Sequence, residues 1–352
     1  MKPSEMPVIH DKLYTLDLAL DEQKMLPNLQ KLAQKQFNGT HEVSKIKIDV
    51  MRRRNQRCVI RYIATVEDRS QKRRFEWRII GKVYKANKGE RVFRMMKELW
   101  QYGFCLGAPD HIRIPEPLAF SSELSILFQE EVPGIPIKTL IKETPDEGQI
   151  RLLARILAKL HKSDYVPGKP FTMKDHLLRC HPRYPFLALA CPDLEPLIEY
   201  IVETAYKLEH QWKDVRYAPI HGDFHLGQVH IDGDRAYLVD LDALSYGDPA
   251  ADLGNLLVFL KNKAKKQPAI NGLIDAFLSE YFSRMDMGIA KRIPLYEGIT
   301  HLRRACKVLR YQEEGWRKKA RKMIEKGVAC IEDASYSLWA YEQSKSGVPV
   351  YE

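Results

Sequence analysis

The sequence predicts an α+β chain in two lobes: a small lobe of antiparallel strands with one internal helix, then a larger, mainly helical lobe. Three observations predict it. Apolar and polar residues alternate through 43–50, 57–66 and 75–84, the period of strands with one buried face. After the Pro133-Gly134 break the spacing becomes that of amphipathic helices, interrupted by a single strand-like run at 236–241. A length of 352 residues also exceeds what one hydrophobic core usually serves. The expected division is 1–131, with a helical lead-in over about 1–38, and 132–352.

In the first lobe, Leu13, Leu16, Met25, Leu29 and Leu32 recur at helical spacing within 12–37. The alternating runs Val43 to Val50 and Arg57 to Val66 flank a polar turn, Arg52 to Gln56, and read as a hairpin. Phe75 to Tyr84 is a third strand. Val92, Met95, Met96 and Leu99 predict a helix over 88–101. Pro115, Pro117 and the apolar run Leu124 to Val132 extend the sheet, and Gln129 to Pro133 is the expected hinge. In the second lobe the periodicity predicts helices at 152–160, 194–212, 249–261, 274–282, 296–310 and 316–341. The Pro-rich stretch 165–192 reads as loops with a short helix.

The chain has 56 basic and 46 acidic side chains, a net charge of +10, which permits anionic partners. The basic residues are spread over several segments, among them Arg52-Arg53-Arg54 and 317–322, and read as a solvated surface. No stacking-aromatic or helix-turn-helix signature points to nucleic acid. No apolar stretch approaches a membrane span, and the charged start MKPSEMPVIHDK lacks a signal-peptide core. The expectation is a cytoplasmic protein without nucleic-acid or membrane partners. The six cysteines include no Cys-x-x-Cys pair, the pattern of reduced thiols rather than a disulfide frame or zinc site. Nothing in the sequence fixes an oligomeric state.

Chemistry concentrates in His221-Gly-Asp-Phe-His-Leu-Gly-Gln-Val229 and the strand-like run Arg235 to Asp242. Asp223, Gln228 five residues on and Asp240 twelve residues after that are spaced as phosphoryl transfer requires. An acid accepts or aims the proton of an attacking hydroxyl. An amide oxygen and a second carboxylate are hard ligands suited to magnesium on a nucleotide. Because the transition state is loose, positioning and charge neutralisation outweigh basicity. Asp242 shares a face with Asp240 only if the strand continues, and is the weaker metal candidate. His221 reads as a loop brace, and His225 and His230 as surface or supporting residues.

With Gly247-Asp248-Pro249 and Asp252-Leu253 downstream, the 221–255 segment resembles the aminoglycoside phosphotransferase and choline kinase-like family, a relative of the protein kinases. The resemblance implies a protein kinase-like fold. It makes Asp223 the catalytic aspartate, Gln228 and Asp240 the metal ligands and Asp252 a structural acid bracing the loop, with His221, His225 and Asp242 in supporting positions. Most members carry Asn where this chain has Gln228; the His-Leu-Gly-Gln run looks like that of bacterial maltokinases, which share the variation. More loosely, across about 40–310, the resemblance implies that Lys82 contacts the α- and β-phosphates. Glu90 is then its ion-pair partner, with Glu98 the alternative, and the hinge Gln129, Glu130, Glu131 and Val132 meets adenine through its backbone. No Gly-x-Gly-x-x-Gly precedes Lys82, an absence common in this family.

The implied reaction is magnesium-dependent transfer of the γ-phosphoryl of ATP, or GTP, to a hydroxyl of a sugar, polyol or amino alcohol. A polycationic aminoglycoside fits a basic chain less well. Acceptor contacts are expected from 164–212 and 296–316. Two rival readings stand beside this one. A non-catalytic nucleotide-binding module is kept open by Gln228. A metallohydrolase built on His221, Asp223 and His225 would need further ligands from other elements, and the remaining histidines show no convergent pattern.

Overall fold

The computed structural model describes residues 13–346 apart from 38, 40, 55, 86 and 87. The part of the expected helical lead-in before residue 13 lies outside the described residues. In chain order the elements are α1 (Leu16–Ala19), α2 (Glu22–Gln36), β1 (His41–Arg54), β2 (Arg57–Asp68), β3 (Arg73–Tyr84), α3 (Lys88–Gln101), β4 (Ile112–Arg113), β5 (Pro117–Ser121) and β6 (Ile126–Glu130). There follow β7 (Ile135–Pro136), α4 (Ile137–Glu143), α5 (Glu147–Lys162), α6 (Met173–Leu178), α7 (Tyr184–Ala190), α8 (Glu195–Gln211), β8 (Ala218–Ile220), β9 (Val229–Asp232) and β10 (Arg235–Leu238). The chain continues with β11 (Ser245–Gly247), α9 (Ala250–Ala264), α10 (Ile270–Phe282), α11 (Ile293–Tyr311) and α12 (Trp316–Ser346).

Two compact units result. One runs to Gly134 and adds His230–Asp242; the other takes Ile135–Val229 and the chain from Ala243 onward. The expectation of a single cut between 131 and 132 therefore needs correcting. The segment 230–242 joins the first unit because β10 pairs in parallel with β4, Ala236 beside Ile112 and Tyr237 beside Arg113. Sequence periodicity reveals a strand but not its partner.

The first unit contains a sheet of order β1-β2-β3-β6-β5, antiparallel throughout. Successive side chains on a strand point to opposite faces. One face of β2 buries Cys58, Ile60, Tyr62, Ala64 and Val66 in a core shared with Met25, Leu29, Leu32 and Ala33 of α2. Each such fully buried aliphatic side chain contributes about 2 kcal/mol. The other face is set by the remaining register: Arg57 opposite Tyr84, Val59 opposite Lys82 and Arg61 opposite Ile80. The lead-in is two helices rather than one. Asp21 lies between them in extended conformation and accepts hydrogen bonds from Gln23 N at 2.8 Å and Lys24 N at 3.1 Å, capping α2.

In the second unit, α9 is buried almost all round and packs on α10 and α11, while α12 packs on α8 and α11. Gly254 permits the close crossing of α9 and α11, since a Cβ there would lie 2.8 Å from the backbone of Tyr296 and Glu297. The expected helices of this region all form. The Pro-rich stretch holds two short ones, α6 and α7. None of the six cysteines is engaged in a disulfide. Among the described residues no helix is long and apolar enough to cross a membrane.

Candidate active site

In the second unit, β8 delivers the chain into the loop His221-Gly222-Asp223. Gly222 has φ +76°, and a Cβ there would lie 2.5 Å from the Ala243 carbonyl oxygen, so both backbone conformation and space call for glycine. Three side chains fix the loop backbone. Asp252, at the start of α9, accepts from His221 N at 2.6 Å and Gly222 N at 2.8 Å. Arg179 donates to the Gly222 carbonyl at 2.8 Å and the Ala243 carbonyl at 3.0 Å. Asn255, one turn beyond Asp252, donates to the Phe224 carbonyl at 2.7 Å. Asp252 is buried, with His161 Nε2 at 3.2 Å from its carboxylate and Tyr281 Oη 2.7 Å from His161 Nδ1. Burial works against ionising Asp252. The hydrogen bond and charge of His161, the charge of His221 and the His221 N–H outweigh it and hold the carboxyl below the usual range.

Asp223 itself is left open to solvent, with 54% of its side chain exposed, and Arg303 approaches its carboxylate to 3.9 Å. Arg303 is held by Asn255 Oδ1. Beside this loop is a small, largely enclosed void lined by His176, Gly222, Tyr296, Thr300 and Arg303, with room for no more than about one water. His176 Nε2 is buried without a hydrogen-bond partner. Burial, reinforced by the charges of Arg179 and Arg303, pushes the His176 pKa down to about 3, so its imidazole stays neutral. Burial and the charge of Arg303 likewise push Arg179 down to about 10.

Gln228 is buried at the end of a short 3₁₀ turn, Leu226–Gln228. Its amide nitrogen lies 3.3 Å from His225 Nε2, and His225 Nδ1 accepts from Gly227 N at 3.0 Å. The imidazole thereby orients the Gln228 amide and leaves its carbonyl oxygen for other partners.

The first unit gathers a second set of charges. β10 stops at Leu238, short of the expected end at 241. Asp240 takes a left-handed conformation, φ +61°, and Leu241–Ala243 forms a 3₁₀ turn. An aspartate tolerates that region better than most residues. The turn breaks strand alternation and lets two carboxylates serve one cluster. Arg57 Nη1 lies 2.6 Å from Asp240 Oδ1 and Nη2 3.3 Å from Oδ2; Arg57 also bonds Asp242. Lys82 Nζ lies 3.4 Å from Asp240 and 3.2 Å from Asp242. Tyr84 Oη donates to Asp242 at 2.7 Å. Burial works against the Asp242 carboxylate, but Lys82, Arg57 and the Tyr84 hydroxyl hold its pKa low. Arg57 is raised further above its already high value: burial opposes its charge, and Asp242 and Asp240 more than compensate.

These contacts revise two expectations. Lys82 is paired with Asp240 and Asp242, not with Glu90, which lies exposed in the first turn of α3. Asp242 is an equal member of the acid pair rather than a bystander, because the turn replaces the strand on which it was to lie. The hinge residues are also tied down. Glu130 forms a two-pronged pair with Arg113 and accepts from Glu116 N at 3.1 Å, and Glu131 accepts from Arg61 Nε at 2.7 Å. Gln129 lies on the Lys82 face of the sheet, opposite Ile80, with its side-chain oxygen buried and unpartnered. Val132 follows the end of β6.

Sequence reasoning missed Arg57, Arg179, Asn255 and Arg303. Weak signals for three of them existed. Arg57 belongs to the same alternating set as Val59 and Arg61, and Asn255 follows Asp252 at the i, i+3 spacing of one helix face. Arg303 follows Tyr296 at i+7 on α11.

The model of the phosphotransferase enzyme family (APH) matches residues 62–286, more than half of the chain. No curated protein sequence matches it. Among solved structures, the chain is similar to a choline/ethanolamine kinase family protein from Mesorhizobium loti, with 16% identity over 90% of this chain and 98% of that one and a TM-score of 0.57. It is similar to choline kinase LicA from Streptococcus pneumoniae, with 17% identity over 86% and 99% and a TM-score of 0.53. It also resembles a thermostable mutant of the aminoglycoside phosphotransferase APH(4)-Ia in ternary complex with ADP and hygromycin B, with 14% identity over 87% and 98% and a TM-score of 0.54. At these identities the likeness is one of fold, and that fold is the α+β, protein kinase-like one.

Proposed function

This chain belongs to the phosphotransferase enzyme family, and we propose that it transfers the γ-phosphoryl of ATP to a hydroxyl of a sugar or other polyol, with magnesium. The observation that carries the reading is the His221 loop. Three side chains fix its backbone, yet the Asp223 carboxylate stays solvent-facing, as an acid that must meet an incoming hydroxyl should be. In this reading Asp223 receives or aims the hydroxyl proton. Lys82 steadies the α- and β-phosphates, and the backbone of Gln129 to Val132 meets the base.

The donor set fits magnesium. Asp240 and Asp242 offer hard carboxylate oxygens, and Gln228 an amide oxygen. Among the described residues no cluster of three or more His, Cys, Asp or Glu forms a metal cage. Magnesium held by one or two carboxylates and by the nucleotide's own phosphates needs none. When bound, the metal would neutralise charge developing on the phosphates. Asp240 is the side chain we assign to hold it, with Asp242 backing Asp240.

For the acceptor, Arg303 stands 3.9 Å from the Asp223 carboxylate. An amine or quaternary ammonium acceptor would meet an arginine where it needs an acid. Hydroxyl-rich acceptors suit such a donor, so the sugar or polyol reading stands ahead of the amino alcohol. The test is an ATP-consumption screen over matched sugars, polyols and amino alcohols, run with wild type and Asp223→Ala. Turnover with a polyol that Asp223→Ala loses is the expected result. Full turnover by the variant sinks the assignment, and nucleotide binding without turnover across the panel favours a non-catalytic module.

A further inference from the structure

We infer that Arg57 is a displaceable counter-ion, bound to Asp240 and Asp242 in the nucleotide-free protein and transferred to the phosphates when a magnesium nucleotide binds. Metal and nucleotide then enter as a coupled pair. The inference rests on the reading of Asp240 as a metal ligand.

Within the cluster the charges balance. Asp240 and Asp242 bring two negative charges, and Arg57 and Lys82 bring two positive ones, all within bonding distance. Arg57 is 17% exposed and Lys82 7%, so water screens them little. A divalent cation arriving by itself would face two fixed cations and two carboxylates whose lone pairs are already engaged. Arg57 reaches both oxygens of Asp240, at 2.6 and 3.3 Å. A ligand that coordinates Asp240 must loosen those bonds.

The position of Arg57 supplies the exchange partner. It is the first residue of β2, paired with Arg54 across the β1–β2 turn and facing Tyr84 on β3. Lys82 lies on the same face, one residue pair along. The turn between Arg52 and Arg57 contains no glycine. It therefore has no glycine-rich backbone cradle for phosphate, and the cationic groups in this segment are the guanidinium groups of Arg52, Arg53, Arg54 and Arg57. A guanidinium binds a carboxylate or a phosphate with the same two-pronged geometry, so the bond lost to Asp240 can be replaced without moving the strand. Lys82 cannot substitute for it, since an ammonium is a point charge.

Such an exchange couples the two ligands. If nucleotide draws Arg57 away, it raises affinity for metal, and metal raises affinity for nucleotide by the same factor. Removing Arg57 should free the carboxylates for metal while weakening the grip on nucleotide. A residue that merely braces the fold would weaken both.

The experiment is calorimetric titration of the full chain with Mn²⁺ alone, with the β,γ-imido analogue of ATP alone, and with the two together. Wild type, Arg57→Met, Arg57→Gln and the exposed control Arg52→Met are compared. The expected result for Arg57→Met and Arg57→Gln is Mn²⁺ binding tighter by about tenfold without nucleotide, and a coupling factor reduced by about tenfold. Arg52→Met should behave as wild type. Unchanged or weaker Mn²⁺ binding in the folded Arg57 variants overturns the inference. So does loss of folding in both, because a displaceable group is dispensable to the nucleotide-free fold. If the Arg57 variants behave as expected but wild type phosphorylates no acceptor, the counter-ion stands and the kinase reading fails. Acceptor-dependent turnover with unaltered coupling upholds the kinase reading and overturns the counter-ion.

Discussion

Asp223 and Asp240 are seventeen residues apart in sequence and are held in opposite ways. Around Asp223 the protein fixes the backbone and leaves the carboxylate open. Asp252, Arg179 and Asn255 bind the peptide groups on either side, and Arg303 comes no nearer than 3.9 Å. Around Asp240 the protein engages the carboxylate itself, with Arg57 and Lys82 upon it. The first arrangement preorganises a group that must meet a substrate unobstructed. The second stores a ligand under counter-charges that its proper partner must replace. Both set an acid beside positive charge, but only one keeps it available.

The largest effect expected from this contrast is kinetic. Asp223→Ala should lower acceptor-dependent turnover roughly 100- to 10,000-fold, with nucleotide affinity and melting temperature unaltered because the side chain is exposed. A substantial fall in melting temperature would break the comparison by making Asp223 a structural acid.

Asp252→Ala should do the converse. It leaves the His221 and Gly222 N–H groups and His161 without their buried acceptor, and a loss of about 3 kcal/mol in urea denaturation is expected. Its pH signature has a definite sign. Because the folded-state pKa lies below the unfolded one, Asp252 stabilises fully above the unfolded value of about 4 and loses that contribution as pH falls through the folded value. Asp252→Asn should flatten the acid limb of the stability–pH curve, followed by denaturation midpoints. An unchanged limb would mean that another group carries the acid sensitivity.

Arg303→Met sharpens the acceptor side. Loss of a charged hydrogen-bond donor should raise the acceptor KM by about tenfold with a smaller change in kcat. Equal falls in kcat and kcat/KM would reassign Arg303 to the transferring phosphoryl group. The smallest effect belongs to Glu90→Gln, which should change stability by no more than about 0.5 kcal/mol and leave nucleotide affinity as it was. A marked loss of nucleotide binding would restore Glu90 as the partner of Lys82.

Much of this was legible in the sequence, and the legible parts share a cause. The strands of the first unit announce themselves because each has one buried face, and the helices of the second because their apolar stripes repeat every three to four residues. The loop from His221 to Gln228 is legible because its chemistry is local: an acid, an amide and a glycine at fixed spacing. Arg57 and Arg303 were not, since each acts on a residue about 80 or more positions away. The pairing of Lys82 failed for the same reason, and the nearby Glu90 was chosen where Asp240 and Asp242 were the partners.

The sequence by itself determined the fold class, the break after Pro133-Gly134 and the identities of Asp223, Gln228 and Asp240 as the residues to watch. These rest on periodicity, turn chemistry and short-range spacing, which the covalent chain alone specifies. Tertiary structure decided that 230–242 pairs with β4 and joins the N-terminal unit, that a left-handed Asp240 ends its strand early, and that an arginine from the first hairpin lies on the acid pair. Those outcomes depend on strand partners and on which charges burial leaves nearest one another, quantities no local pattern encodes.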